Sequence, residues 1–521
     1  MTLLQWFIFF LAVQVIHFAG TWKLYEKAGR KRWEAAVPVY NAVVLMQIIN
    51  RPRWWVILLF IPVVNLIMFP VVWVQTLRAF GKRSSTDTIL GIVTLGLYVY
   101  AINYNDKVTY TPEGDEERKD STVGSLLFAI VVATIVHTYV MQPFTIPSPS
   151  LEKTLLVGDF LFVSKLHYGA RTPMTPIAAP MVHDTIPFIN VKSYSKWPQL
   201  PSFRFPGFEK VEKNDIVVFN WPADTVVKFR DQSRVGVRKP VDKKSNYVKR
   251  CVGTPGDVLS IKDGVVMIGS KPLQLNDRAR LQHQYILTTV DGGMFDSNYL
   301  INDLKINRSD FDFDTSRNIY LFRALTGENA EILKNNPKVK TIEKRVFATD
   351  PANTDTSIFP HSKPGWTVDN MGPVYIPEEG KKVDLTNETL PFYKMIITEY
   401  EKNTLEVIGG QIVINGQPAT SYTFKQNYYW MMGDNRHNSE DSRFWGFVPE
   451  DHIVGKPVFV WMSLDQNQSW GNISKKVRWE RMFTTVGGDD EPVSYFKYFL
   501  AALVLWIGFS FFRKKRNAEK A

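Results

Sequence analysis

The sequence predicts a membrane protein with an N-terminal α-helical transmembrane region, then a mainly antiparallel β domain, and a C-terminal transmembrane helix. Three observations carry this expectation. Apolar residues gather at the two ends of the 521-residue chain, basic residues follow the first and last of those runs, and between them the pattern changes to short alternating segments bounded by turn residues. With 45% hydrophobic, 13% aromatic and 22% charged residues, a mainly disordered chain is excluded.

Residues 2–20 are almost continuously apolar, and a bilayer core takes roughly 20 such residues as helix. A cleaved secretory signal opens with Lys or Arg. Here Lys23, Lys27, Arg30, Lys31 and Arg32 come after the run, which favours a retained helix with its N-terminus outside. Further runs at 54–77, 89–102, 123–141 and 495–512 bring the expected total to five spans, the third of them short. The expected divisions are a multi-span membrane region at 1–122, an anchor at 123–141, an extracytoplasmic domain at 142–494, a last span at 495–512 and a basic tail at 513–521. By the positive-inside bias, the 21–53 loop and the tail RKKRNAEKA face the cytoplasm, which leaves 142–494 on the far side. Arg78, Lys82 and Arg83 run against this count, but the last two spans and the tail alone place the long domain.

Within 142–494 the runs DFLFVSKL, DIVVFNW, DVLSI, VVMI and LEVIGGQIVI read as strands. Asp263-Gly264 and Asn415-Gly416 stand between such runs, where a tight hairpin needs residues that tolerate positive φ. The stretch 275–400 is polar and irregular, with a helical pattern only at 327–334.

Several function classes fall away early. A single cysteine, Cys251, leaves no disulfide framework and no thiolate set for a metal. The eight histidines show neither an i, i+4 pair nor HExxH spacing, so no zinc hydrolase is expected. GVRKPVDKKS lacks the spacing of a phosphate loop. The net charge of +11 raises nucleic acid as a partner, but an outside location disfavours it and favours anionic lipid headgroups instead.

The chemically informative residues follow the fourth span. Ser150 comes after Pro147-Ser148-Pro149, and strand-like sequence begins at once, so a rigid turn rather than a tether is expected there. The bland alternative is an ordinary Pro/Ser linker. A serine hydroxyl near neutral pH needs a base, and no histidine is placed by the sequence to serve. The alternative base is a lysine that burial keeps neutral, since desolvation can lower its pKa by about 3–5 units. Lys249 in NYVKRCVGTPGD alternates with Arg250, so one of the two must point inward; the bland reading leaves Lys249 on a solvated face. In GDNRHNSEDSRFWGF at 433–447, Asp441 and Arg443 suit a charge-assisted pair, and Ser439 offers an oxygen that would accept from a neutral amine.

Four segments in order, FTIPSPSLEKTLLVGD, NDIVVFNWP, YVKRCVGTPGD and GDNRHNSEDSRFWGFVPEDHIVGKP, resemble the type I signal peptidases. The resemblance implies a membrane-bound serine endopeptidase that removes signal peptides from exported preproteins through a Ser/Lys dyad, with no cofactor. It implies Ser150 as nucleophile, Lys249 as general base, Ser148 as an oxyanion donor beside the Ser150 N–H, Ser439 as the group orienting the amine, and Asp441 and Arg443 as support for that loop. It also implies an α+β subdomain inserted at 275–400. The partners implied are preprotein signal peptides, the lipid bilayer and the export machinery, with no nucleic acid. Departures are Pro149 for the usual Gly, Leu151 for the usual Met, His437 for a common Asp, and an N-terminal region longer than the family's one or two helices. Two competing readings are a catalytically idle membrane scaffold that binds exported chains and a self-cleaving Ser/Lys peptidase of the repressor type.

Overall fold

A computed structural model describes residues 2–111, 122–224, 237–290, 293–350, 352, 356–488 and 491–518. Residues 112–121 of the expected N-terminal region, Gly236 of the basic run, and residues 519–521 of the tail lie outside the described residues. The chain forms two compact units: Met1–Val140 with Ala170–Phe205 and Arg238–Lys244, and Met141–Gly169 with Pro206–Val237 and Ser245–Ala521.

In the first unit, Leu3–Lys27 is one helix, opened by a capping box in which the Thr2 hydroxyl accepts from the Gln5 N–H. The expected runs 54–77 and 89–102 are not continuous helices. The first divides into Trp55–Leu58 and Val64–Ala79, the second into Ser85–Val93 and Tyr98–Asn103. The breaks fall at Val63 (φ 70°) and at Leu95 and Gly96 (φ 52° and 83°), and a residue with positive φ cannot continue a right-handed helix. At Gly96 the turn also presses on Trp73: an added Cβ would lie 2.6 Å from its indole ring. Among the described residues, three helices are long and apolar enough to cross a membrane: Leu3–Lys27, Thr122–Val140 and Phe496–Arg513. The core of the first unit, including Leu24, Met46, Val64, Met68 and Ile102, is drawn from the long first helix and the short ones together.

The second unit is built on an eight-stranded antiparallel sheet. Its strands are β1 (Met141–Thr145), β2 (Asp159–Ser164), β3 (Ile216–Asn220), β4 (Asn246–Gly253), β5 (Tyr428–Met432), β6 (Val448–Pro449), β7 (Ile453–Ser463) and β8 (Thr484–Thr485). The order is β1-β2-β7-β3-β4-β5-β6, with β8 on β7. Every residue of β3 and β5 is buried, because both faces of the sheet are covered. Ile216, Val218 and Leu161 pack into one core, while Val217, Phe219, Cys251 and Met431 pack into another.

The two dipeptides singled out as hairpin turns behave as their chemistry dictates. Asp263 and Gly264 (φ 48° and 78°) join Val258–Lys262 to Val265–Ile268, and Asn415 and Gly416 (φ 52° and 77°) join Gln411–Ile414 to Gln417–Pro418. Within 275–400, four strands between Gln282 and Lys344 and the helix Gly327–Lys334 surround a core of their own containing Leu287, Leu300, Phe322 and Leu333. That separate sheet ends well before residue 400, since Met371–Tyr375 pairs with Val258–Lys262 instead.

Candidate active site

Ser150 occupies a single 3-10 turn, Pro149–Leu151, in the connection from β1 to β2. The proline suits the first position of such a turn, where its missing N–H costs nothing. The connection is fastened at its base, where the Ile146 N–H donates to Asp159 O at 2.9 Å and the Gly158 N–H to Ile146 O at 3.0 Å. Leu151 and Leu155 anchor it in the core below.

Lys249 lies at the centre of β4, opposite Val217 of β3. Its Nζ stands 2.6 Å from the Ser150 Oγ, with Lys249 3% exposed and Ser150 8%. Burial pulls the amine down to about 8, against the opposite pull of Asp441 and Glu440. The Tyr247 ring closes one side, its centroid 5.3 Å from Nζ. Of the two neighbouring cations, at least one of which had to point inward, both are buried: Lys249 beside the serine and Arg250, at 1% exposure, on the other face of the strand. A strand covered on both sides has no solvated face to give it.

Arg250 is neutralised there by Asp434, its Nε and Nη2 donating to the two carboxylate oxygens at 2.8 and 2.7 Å, while Thr154 Oγ1 donates to the same group at 2.7 Å. The loop after β5 therefore grips both β4 and the serine connection. It grips the latter twice more, through the Asn435 N–H to Ser150 O at 3.0 Å and Asn435 Nδ2 to Pro149 O at 3.2 Å. Gly433 allows this approach, because a Cβ there would lie 2.6 Å from Ser150 O and 2.2 Å from Ser439 Oγ.

The structure pairs Asp441 with Arg443, whose Nε and Nη2 each donate at 2.8 Å, and the Gly433 N–H donates to the same carboxylate at 3.1 Å. Ser439 is not hydrogen-bonded to Lys249: its hydroxyl is buried beside Gly433 with no hydrogen-bond partner among the described residues. Ser148 is half-buried one residue before the turn, in extended conformation, and its hydroxyl does not cap the turn.

Sequence reasoning missed Arg250, Asp434 and Asn435 as the clamp on the serine. The GDN run was visible, but which neighbours it would reach depends on strand order. It also left His437 without a role. His437 Nδ1 accepts from the Gln284 N–H at 2.9 Å, so Nε2 carries the proton and faces the Asp369 carboxylate at 3.0 Å. The histidine thus ties the loop to the 282–289 strand and to Asp369.

A family model described as signal peptidase, peptidase S26, matches residues 120–315 and 380–462. A second, described as a family of unknown function (DUF5684), matches residues 33–113. The chain is 24% identical over 343 residues to the signal peptidase I of Buchnera aphidicola subsp. Baizongia pistaciae, covering 66% of this chain and 76% of that one. It is 24% identical over 374 residues to the signal peptidase I of Haemophilus influenzae (70% and 75% covered), and 26% identical over 373 residues to that of Helicobacter pylori (69% and 90% covered).

Gly433→Ala tests the clamp. The added carbon must push the Ser150 carbonyl aside, and misplacement of a nucleophile by about 1 Å costs on the order of 10²-fold in rate. Peptide cleavage should fall to that degree in Gly433→Ala and be unchanged in Gly327→Ala, where an added Cβ meets nothing within 4 Å.

Proposed function

The chain belongs to the signal peptidase family, peptidase S26, and from that membership we propose that it cleaves N-terminal signal peptides from exported preproteins with Ser150 as nucleophile and Lys249 as general base. One observation carries the assignment of residues: the 2.6 Å approach of a buried lysine amine to a buried serine hydroxyl. With Lys249 neutral, the Ser150 O–H donates to Nζ. The proton passes to Nζ as Oγ attacks the scissile carbonyl. The same Nζ then protonates the leaving amine, and the freed amine activates the water that hydrolyses the acyl-enzyme.

The oxyanion is held by the Ser150 N–H and the Ser148 hydroxyl, each such donor typically contributing about 3–4 kcal/mol. Because the backbone donor belongs to Ser150, Pro149 does not remove it. Ser439 would orient the amine once its hydroxyl turns from its unpartnered position, with Asp441 and Arg443 holding the loop. The substrate lies extended, with small residues at the third and first positions before the cut. The sheet and helix of 282–344 form the inserted part of the expected 275–400 subdomain. The three long apolar helices hold the enzyme in a bacterial inner membrane, with 142–494 extracytoplasmic and the basic tail inside. The bilayer is then a standing partner, and the export machinery a further one.

Ser150→Ala and Lys249→Ala should each abolish preprotein cleavage while the chain remains folded and inserted; activity retained in either variant would refute the dyad. The pH dependence has a definite sign. The base works only unprotonated, so kcat/KM should rise with pH and level off near 8, where burial places Lys249; a profile still climbing at about 10.4, the ordinary lysine value, contradicts a buried base. For topology, a thiol reagent added to intact cells should label Ser297→Cys, on the exposed surface of the outer part, and leave Asn517→Cys unlabelled.

A further inference from the structure

The segment 170–205 of the first unit takes no part in the chemistry above, yet its surface is strongly apolar. Its backbone doubles back as a hairpin, with bridges between Ala178 and Tyr194 and between Thr185 and Lys192, and with the Ile186 N–H donating to Val191 O at 2.8 Å. The tip carries Phe188 and Ile189. Phe188 takes a φ of 71°, a conformation that bulky residues rarely adopt. Phe188 is 101% exposed, Ile189 63%, and Trp197 further along 70%. A large apolar side chain held out in this way marks an interaction surface.

What covers it is indicated by what the segment is attached to within its own unit. Trp6 Nε1 donates to Gln199 O at 3.2 Å, the Tyr139 ring meets Phe205 edge-on at 6.2 Å, and Val63 shares a buried cluster with Ala178 and Tyr194. Trp6 stands in the first turn of Leu3–Lys27, and Tyr139 in the last turn of Thr122–Val140. The segment therefore meets the beginning of one long apolar helix and, six residues on, the end of another. Two spans running in opposite directions present such a pair of ends at the same membrane face, and that is the depth assigned to the segment. Trp and Tyr, here Trp6, Tyr139 and Trp197, concentrate at this depth, because it takes an apolar ring and a polar edge together.

We propose that the 178–194 hairpin seats its Phe188–Ile189 tip in the interfacial layer of the outer leaflet, as a fixed contact between the lipid bilayer and the first unit. The proposal rests on reading Leu3–Lys27 and Thr122–Val140 as spans and is independent of the chemistry at Ser150. Lys196, just past the hairpin, puts a cation where lipid phosphates would lie, while Lys192 is held by Asp184 at 2.7 Å.

The test uses the full chain reconstituted in vesicles of phosphatidylethanolamine and phosphatidylglycerol. Phe188→Cys, and separately Ile189→Cys, is labelled with an environment-sensitive nitrobenzoxadiazole dye; the native Cys251 is buried and stays unreacted. The expected result is blue-shifted emission that is lost when shallow nitroxide lipids are included, with neither effect in Ser297→Cys. Water-like emission without quenching at both tip positions overturns the proposal. So does quenching that disappears when a signal peptide is added, which would make the hairpin a substrate contact. Cleavage of a soluble peptide by the same samples reports separately on the active site, so an active enzyme with an unquenched tip sinks the hairpin alone.

Discussion

The second unit depends on keeping one amine dry. A lysine surrounded by carboxylates would ordinarily hold its proton more firmly, and Asp441, Glu440 and Asp434 all act on Lys249 in that direction. Two of those three are already engaged, Asp434 by Arg250 and Asp441 by Arg443, each through a two-pronged contact between buried groups. Their charge is largely answered before it reaches the amine, and the loss of water decides the outcome. The arginines thus bear on the charge felt at the amine without touching the serine. Such pairs contribute little net stability; their value here lies in what they withhold from their neighbour.

Much of this was legible in the sequence where chemistry is local. Two hairpin turns were visible because Asp-Gly and Asn-Gly tolerate the required φ, and the strands around them because their side chains alternate. Ser150, Lys249 and the Asp441–Arg443 pair stood out by residue type and setting. What stayed hidden depends on which strands become neighbours. Arg250 was given no role, because alternation reports two faces and not whether both are covered. The grip of Asn435 on the Ser150 carbonyl joins positions 285 residues apart, and nothing local foretells it.

The helical part shows the complementary limit. Apolar content at 54–77 and 89–102 suggested continuous spans, but positive φ at Val63, Leu95 and Gly96 folds these runs into short pieces. Composition reports that a segment avoids water; it does not report whether the segment meets lipid or its own chain. Pro62 and Gly96 are the local signals of a break in these runs.

The placing of two cations side by side on β4 has one more implication. Val217 faces Lys249, and Ile216 faces Arg250. A slip of the strand by a single residue would exchange the two, keeping the ladder and the charge count while setting a guanidinium against the hydroxyl. A guanidinium holds its proton at any ordinary pH. The product would be a well-folded protein without the proposed base, so under the proposed chemistry fidelity of strand alignment is itself a requirement for turnover.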